Sequence, residues 1–241
     1  RHYLEHKRAW KPHYLCEPEE KILDEKAITG KAAFSRLFEE TTAALKFPFA
    51  EDQGVGHLSL QEILAKLYDP IRETRRRAGA GISQGLEDNA RLLTFIFNTI
   101  VLDHQSDSQL RHFSHPMASR NLANEIGDSV VDALLAATER HQDLVQRYYR
   151  LKKKLLKLDM LYDYDRYAPL FSDMPDCDWP TARRIVEESY QAFSPDAGRI
   201  IREFFDKEWI DAELRPGKRG GAFSASAVPS VHPYILMNFT E

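Results

Sequence analysis

The sequence predicts a mainly α fold, an elongated multi-helix body with a short hairpin near 45–60 and a short β segment at 222–240. Three observations carry that expectation. Apolar residues recur three to four positions apart over several long stretches, which is the period of a helix face. Helix starts are marked by Ser59, by Ser194 followed by Pro195, and by the acidic first turn Glu17-Pro18-Glu19-Glu20. One glycine cluster, Gly217-Lys218-Arg219-Gly220-Gly221, leads into Tyr234-Ile235-Leu236-Met237-Asn238-Phe239, a bulky apolar stretch of strand character.

Taken in order, residues 1–28 have helix-forming composition broken at Pro12 and Pro18. Thr29-Gly30 ends that segment, and 32–45 reads as a helix with Phe34, Leu37, Phe38, Thr41 and Leu45 on one face. Residues 45–49 and 57–60 flank the turn-like Glu51-Asp52-Gln53-Gly54-Val55-Gly56, which is a hairpin signal. Ser59 caps a helix over 60–68, and Asp69-Pro70 opens another through Arg77. Gly79-Ala80-Gly81 and Gly85 read as a flexible break and place the domain boundary, giving expected domains at 1–78 and 86–241. Residues 89–103 are apolar nearly all round, the pattern of a helix buried on most of its circumference. From about 121 to 158, Ile126, Val130, Leu134, His141, Leu144, Tyr148, Leu151 and Leu155 keep helical spacing. A single rod of about 50 Å follows at 1.5 Å per residue. An acidic, proline-broken loop over 162–179 precedes helices at 180–193 and 194–214.

Composition narrows the function classes. The 241 residues suffice for one large or two ordinary domains, and 43% hydrophobic with 29% charged content is that of an ordinary globular protein. A formal net charge of -4 excludes a globally basic nucleic-acid binder. Cys16 and Cys177 form no ligand pair, which points to a reducing cytoplasm. No apolar run approaches the roughly 18 residues of a membrane span. The sequence begins without Met and ends directly after an apolar strand, so we expect an internal segment of something longer.

Several stretches carry candidate chemistry. His2-Tyr3-Leu4-Glu5-His6 matches H-x-x-E-H, in which two histidines on one helix face ligate zinc beside a glutamate base. A solvated helix face is the better reading for so short a match among charged residues. His112 and His115 have ligand-like spacing, but Pro116 and a loop setting make them ordinary loop groups. Arg147, Arg150, Lys152, Lys153, Lys154 and Lys157, with Tyr148 and Tyr149, form a basic stripe of the kind that meets nucleic acid. The acidic residues Asp163, Asp165, Asp173, Asp176 and Asp178 are expected to neutralise that stripe within the fold. The closing glycine turn and strand either hold an extended peptide by strand addition or simply close a small sheet.

Longer motifs narrow the choice. Glu17-Pro18-Glu19-Glu20-Lys21-Ile22-Leu23, Phe95-Ile96-Phe97-Asn98-Thr99 and His115-Pro116-Met117-Ala118-Ser119-Arg120-Asn121-Leu122-Ala123-Asn124 resemble the oligoendopeptidase F family of zinc peptidases. So do Asp163-Tyr164-Asp165-Arg166-Tyr167-Ala168-Pro169-Leu170 and Gly217-Lys218-Arg219-Gly220-Gly221-Ala222-Phe223, in the same order along the chain. The resemblance implies a helix-rich cytoplasmic metalloendopeptidase that encloses short oligopeptides in a channel. It implies zinc in the complete enzyme, bound by an H-E-x-x-H helix and a later glutamate. No H-E-x-x-H occurs in this sequence, so we expect no zinc ligand and no catalytic residue in this chain, and no cleavage by it alone. The positions implied to touch substrate are Gly220, Gly221, Ala222 and Phe223 on the turn and His232, Tyr234 and Asn238 on the strand. The expected partners are an oligopeptide substrate and the remaining half of the catalytic domain, with neither nucleic acid nor membrane. The competing reading is a non-catalytic helical peptide-binding or scaffold protein.

Overall fold

The computed structural model describes residues 1–51, 54–171 and 177–239, and helices dominate it. The chain divides into two compact units, Arg1–Glu40 with Asp88–Leu161, and Thr41–Glu87 with Tyr162–Glu241.

In the first unit, α1 (His2–Trp10), α2 (Glu17–Thr29) and the start of α3 (Lys31–Ala44) lie with α6 (Ala90–Leu110), α7 (Ala118–Ala123), α8 (Asp128–Arg140) and α9 (Gln142–Leu155). The acidic signal before α2 works as a capping device, because Cys16 N donates to Glu19 Oε2 at 3.0 Å. Glu20 reaches further. Both its carboxylate oxygens accept from Arg111, just past α6, at 2.8 Å each. The pair is bidentate and largely shielded, and it holds the Glu20 carboxyl down at about 2. His13 Nδ1 lies 2.8 Å from Arg111 O, and its ring stacks on Phe113 at 3.9 Å.

Two expectations change here. The periodicity predicts one helix over 121–158, whereas the structure divides it into α7, α8 and α9. Glu125 sits at a φ of 56° and Gly127 is extended, which ends α7 and restarts the chain at α8; His141 (φ -107°, ψ 17°) separates α8 from α9. Asp128, the first residue of α8, accepts from Asn121 at 2.8 Å and lies 3.0 Å from His115 Nε2, and these contacts lower its carboxyl. Spacing survives these breaks, so periodicity alone cannot detect them. The second change concerns α6, which is not buried on most of its circumference. Among its described residues only Ile96 and Ser108 are buried, while Phe95, Phe97 and Leu102 are exposed.

In the second unit, β1 (Phe47–Glu51) and β2 (Gly54–Leu58) form the expected antiparallel hairpin, pairing Phe47 with Leu58 and Glu51 with Gly54. Asp52 and Gln53 of its turn lie outside the described residues. Ser59 and Glu62 form a reciprocal capping box for α4 (Leu60–Ala65): Ser59 N donates to Glu62 Oε2 at 2.7 Å, and Glu62 N donates to Ser59 Oγ at 3.4 Å. A short 3-10 turn, Lys66–Tyr68, leads to α5 (Arg72–Asp88). The core of this unit is Leu45, Phe47, Phe49, Ile63 and Ala78, with Leu58, Leu60, Leu67 and Ile82 packed on it.

The flexible break expected at Gly79-Ala80-Gly81 and Gly85 does not exist, because α5 runs through all of them. These glycines are there for proximity. A Cβ at Gly81 would collide with Pro48 O, and one at Gly85 would stand 2.5 Å from the Phe47 ring. Helix and hairpin therefore approach closely because two side chains are missing.

Two residues of the acidic segment have local roles. Asp165, fully buried in a short 3-10 turn (Asp163–Asp165), accepts from Arg72 and Arg75 of α5 at 2.8 and 3.0 Å. Asp178 caps α10 (Trp179–Phe193) by accepting from Thr181 N. Lys152 of the basic stripe of α9 is buried. Asp173 and Asp176 lie outside the described residues. The last expected helix is shorter than its spacing suggests. α11 (Pro195–Asp206) ends where Glu208 adopts a φ of 56°, and the chain continues as β3 (Ile210–Asp211). Among the described residues no helix is long and apolar enough to cross a membrane.

Candidate functional site

The small sheet that follows α11 organises the site. β5 (Tyr234–Leu236) lies between β3, which it pairs in parallel, and β4 (Phe223–Ala225), which it pairs antiparallel. Ile235 N, Met237 N and Phe239 N donate to Trp209 O, Asp211 O and Ala212 O, each at 2.9 Å, extending the parallel ladder past both strand ends. The sequence leaves 234–239 as either a buried strand or a sheet edge, and the structure makes it the centre of the sheet. Its backbone is engaged on both sides. Among the described residues β3 and β4 are the two edge strands, and all three residues of β4 are exposed.

The glycine turn is built by three separate constraints. Gly217 and Gly221 have φ of 77° and 81°, a region that a side chain disfavours. Gly220 is needed for space, since a Cβ there would collide with the Gln61 amide. Asn238 then fastens the turn to the sheet, its Nδ2 donating to Arg219 O at 3.1 Å and to Gly221 O at 2.9 Å.

Lys218 is the residue that composition and motif reading do not single out. Its side chain is 2% exposed, and its Nζ donates to Asp211 O (3.1 Å), Asp211 Oδ1 (3.0 Å), Glu213 O (2.7 Å) and Met237 O (2.7 Å). One ammonium thus gathers the loop after β3 and the end of β5 around itself, as a bound cation would. Asp211 receives Arg215 as well, at 2.6 and 2.7 Å. Arg215 first and Lys218 second hold its carboxyl far below the ordinary carboxylate range. The signal available beforehand was a lysine inside a glycine cluster, which reads equally well as a solvated loop charge.

The seven residues expected at the site fall into two groups. Gly220, Gly221 and Asn238 meet directly, and exposed Ala222 leads from them into β4. Phe223 pairs opposite Leu236, with the Arg219 guanidinium 5.3 Å over its ring. His232 and Tyr234 belong to the other end of the strand. The His232 ring stacks on Trp209 at 3.5 Å and meets Tyr234 edge-on at 4.6 Å. His232 and Asn238 are six residue steps apart along the chain, a span of about 20 Å at most.

Beside the glycine turn lies a cavity of about 330 Å³ lined by Gln61, Leu64, Ala65, Leu67, Tyr68, Tyr167 and Asn238. As for metal binding, His2 Nε2 and His6 Nδ1 both lie on the Glu125 carboxylate, at 2.7 and 3.1 Å, while Glu5 accepts from Arg1 at 2.9 Å. The H-x-x-E-H match therefore does not assemble its glutamate with its histidines. Among the described residues no group of three or more His, Cys, Asp or Glu is placed to hold a metal ion.

Comparison with known proteins bears on this geometry. A family model described as peptidase family M3 matches residues 65–241, and one described as oligopeptidase F matches residues 1–47. Oligopeptidase PepF of Bacillus subtilis is 24% identical over 241 residues, covering 99% of this chain and 36% of that protein. The crystal structure of oligoendopeptidase-F from Enterococcus faecium superimposes with a TM-score of 0.65 at 23% identity, over 87% of this chain and 39% of that one. PZ peptidase A superimposes with a TM-score of 0.79 at 18% identity, over 95% of this chain and 40% of that one. These superpositions show a common fold. The chain spans 36% to 40% of the length of the first curated relatives it matches.

Proposed function

Because the chain belongs to peptidase family M3, we propose that it forms the peptide-holding wall of a cytoplasmic zinc-dependent endopeptidase acting on short oligopeptides. The observation that carries this reading is the exposed edge strand β4 beside a glycine turn locked by Asn238 and Lys218. An edge strand offers unpaired N–H and C=O groups at a fixed spacing, and an extended peptide completes the ladder. Gly221 presents backbone without a side chain at the mouth of that edge, which allows close approach. Phe223, Tyr234 and His232 flank the edge as apolar and aromatic surface for alternate side chains of the peptide.

The described residues do not assemble a set that fits a catalytic zinc. The histidines of the H-x-x-E-H match are spent on Glu125, and the described residues contain no set of three candidate ligands. We therefore assign no hydrolytic step to these residues. This chain holds and orients the peptide.

The test separates holding from cutting. The 241-residue polypeptide should bind a fluorescent oligopeptide in an anisotropy titration, with amide-exchange protection appearing at Phe223–Ala225, and should leave a fluorogenic oligopeptide uncleaved with zinc present. Zinc-dependent cleavage by this polypeptide, or binding that leaves the β4 amides unprotected, overturns the assignment.

A further inference from the structure

We propose that the cavity beside the glycine turn is a subsite for one aromatic side chain of the bound oligopeptide, an inference that rests on the peptide-holding reading above. The walls dictate the class of occupant. Leu64, Ala65 and Leu67 supply apolar surface, and Tyr68 and Tyr167 stack at 4.8 Å with their planes 25° apart. No lining residue is a carboxylate, a lysine or an arginine, so a charged side chain finds no ion-pair partner in the walls. At about 330 Å³ the cavity stands at the small end of ligand pockets, room for one large side chain. A stacked tyrosine pair offers ring edges and faces, to which another aromatic ring adds in offset or edge-on geometry.

Asn238 supplies the polar anchor. Its Nδ2 is committed to Arg219 O and Gly221 O, which fixes the orientation of the amide. Its Oδ1 is therefore directed away from the turn, and it is buried without a hydrogen-bond partner among the described residues. A buried carbonyl lacking a donor is unfavourable in isolation and accepts one readily. The turn and the cavity are also one structure, since the Gln61 amide at the cavity wall packs against Gly220. Main-chain capture along β4 and side-chain selection by the cavity would then act on the same extended peptide.

The experiment uses the purified full-length protein and fluorogenic peptides differing at a single position, Phe, Ala or Lys. The Phe peptide should exceed the Ala peptide by roughly tenfold or more in kcat/KM, the effect expected of one large apolar side chain. Ala65→Trp, which fills the cavity, should abolish that preference. Leu64→Ala, which enlarges the cavity, should move the preference from Phe to Trp and serves if Ala65→Trp fails to fold. Equal rates for the Phe and Ala peptides, or a Phe preference that survives a folded Ala65→Trp, overturns the subsite. Failure to cleave any peptide overturns the peptidase reading instead. Saturation-transfer NMR with N-acetyl-phenylalaninamide then decides the subsite by itself: binding lost in Ala65→Trp supports it, and no binding, or binding that Ala65→Trp leaves unchanged, overturns it.

Discussion

Replacing Asp165 by Asn should be the most damaging conservative change in the second unit. The carboxylate is fully buried and receives Arg72 and Arg75 at 2.8 and 3.0 Å. Asn keeps the shape and one acceptor but removes the charge. Arg75, whose side chain is 3% exposed, then keeps a buried positive charge with only Asp69 O and Pro70 O to receive it, and its Nε already lacks a partner among the described residues. Removing one partner of a buried ion pair typically costs about 3–5 kcal/mol. Arg72 is 40% exposed, so Arg72→Met should cost only about 1 kcal/mol, because water replaces much of what is lost. Tm should therefore fall by roughly 6–20 °C for Asp165→Asn, at about 2–4 °C per kcal/mol in a chain of this size. Trp179 and Trp209 report this unit by fluorescence during urea unfolding. The pH dependence has a definite sign. Burial pushes the Asp165 carboxyl up, but Arg72, Tyr162 N and Arg75 outweigh it and leave the folded value below the ordinary one. The charged form thus stabilises the fold above the unfolded value of about 3.9, and that contribution is lost as pH falls through the folded value. The gap between wild type and Asp165→Asn should narrow below about pH 4. A loss under about 1 kcal/mol, or a gap independent of pH, would refute the reasoning.

Other outcomes follow from single contacts. Lys218→Met should destabilise by about 3 kcal/mol, because three carbonyls and Asp211 lose a shared buried donor, and hydrogen exchange at Ile235, Met237 and Phe239 should accelerate. Lys218→Arg should not restore it, since a planar fork cannot aim one compact charge at the same acceptors. Glu20→Gln should flatten the acid-stability profile of the first unit. The folded value near 2 lies below the ordinary 4.5, so the contribution present above 4.5 disappears between about 4.5 and 2 in the wild type and is absent in the variant. Exchange of α2 amides against pH measures it, and an unchanged profile would count against the Glu20–Arg111 pair. Gly81→Ala should cost more than Gly85→Ala, because a Pro48 carbonyl cannot move aside as the Phe47 ring can, and both should be net destabilising despite the helix preference of Ala. Thermal melts of the two variants check the order.

What was legible in the sequence was local, and what was not depended on a partner. The Ser59 cap, the hairpin and the first-turn acids of α2 are written in short stretches of sequence, and each forms as that reading expects. Glycine is ambiguous because it serves two physical ends. At Gly217 and Gly221 it permits positive φ, as the motif suggests, but at Gly81 and Gly85 it admits a neighbouring hairpin into an unbroken helix. Charge is ambiguous for the same reason. Asp165 reads as one member of an acidic loop until the two arginines that enclose it, some 90 positions earlier, are seen beside it. The site repeats this pattern. The glycine turn and Asn238 could be named from their motif, whereas Lys218, Gln61 and the Tyr68–Tyr167 pair matter only through what they touch. The strand order follows the same logic: a run of apolar residues specifies burial, and only pairing decides that β5 lies in the middle and leaves β4 as an exposed edge strand. That assignment moves the expected peptide contact from the apolar strand itself to the short strand that glycine turn delivers. The tests above therefore bear on Phe223–Ala225 and on the cavity beside Gly220, rather than on the side chains of 234–239 alone.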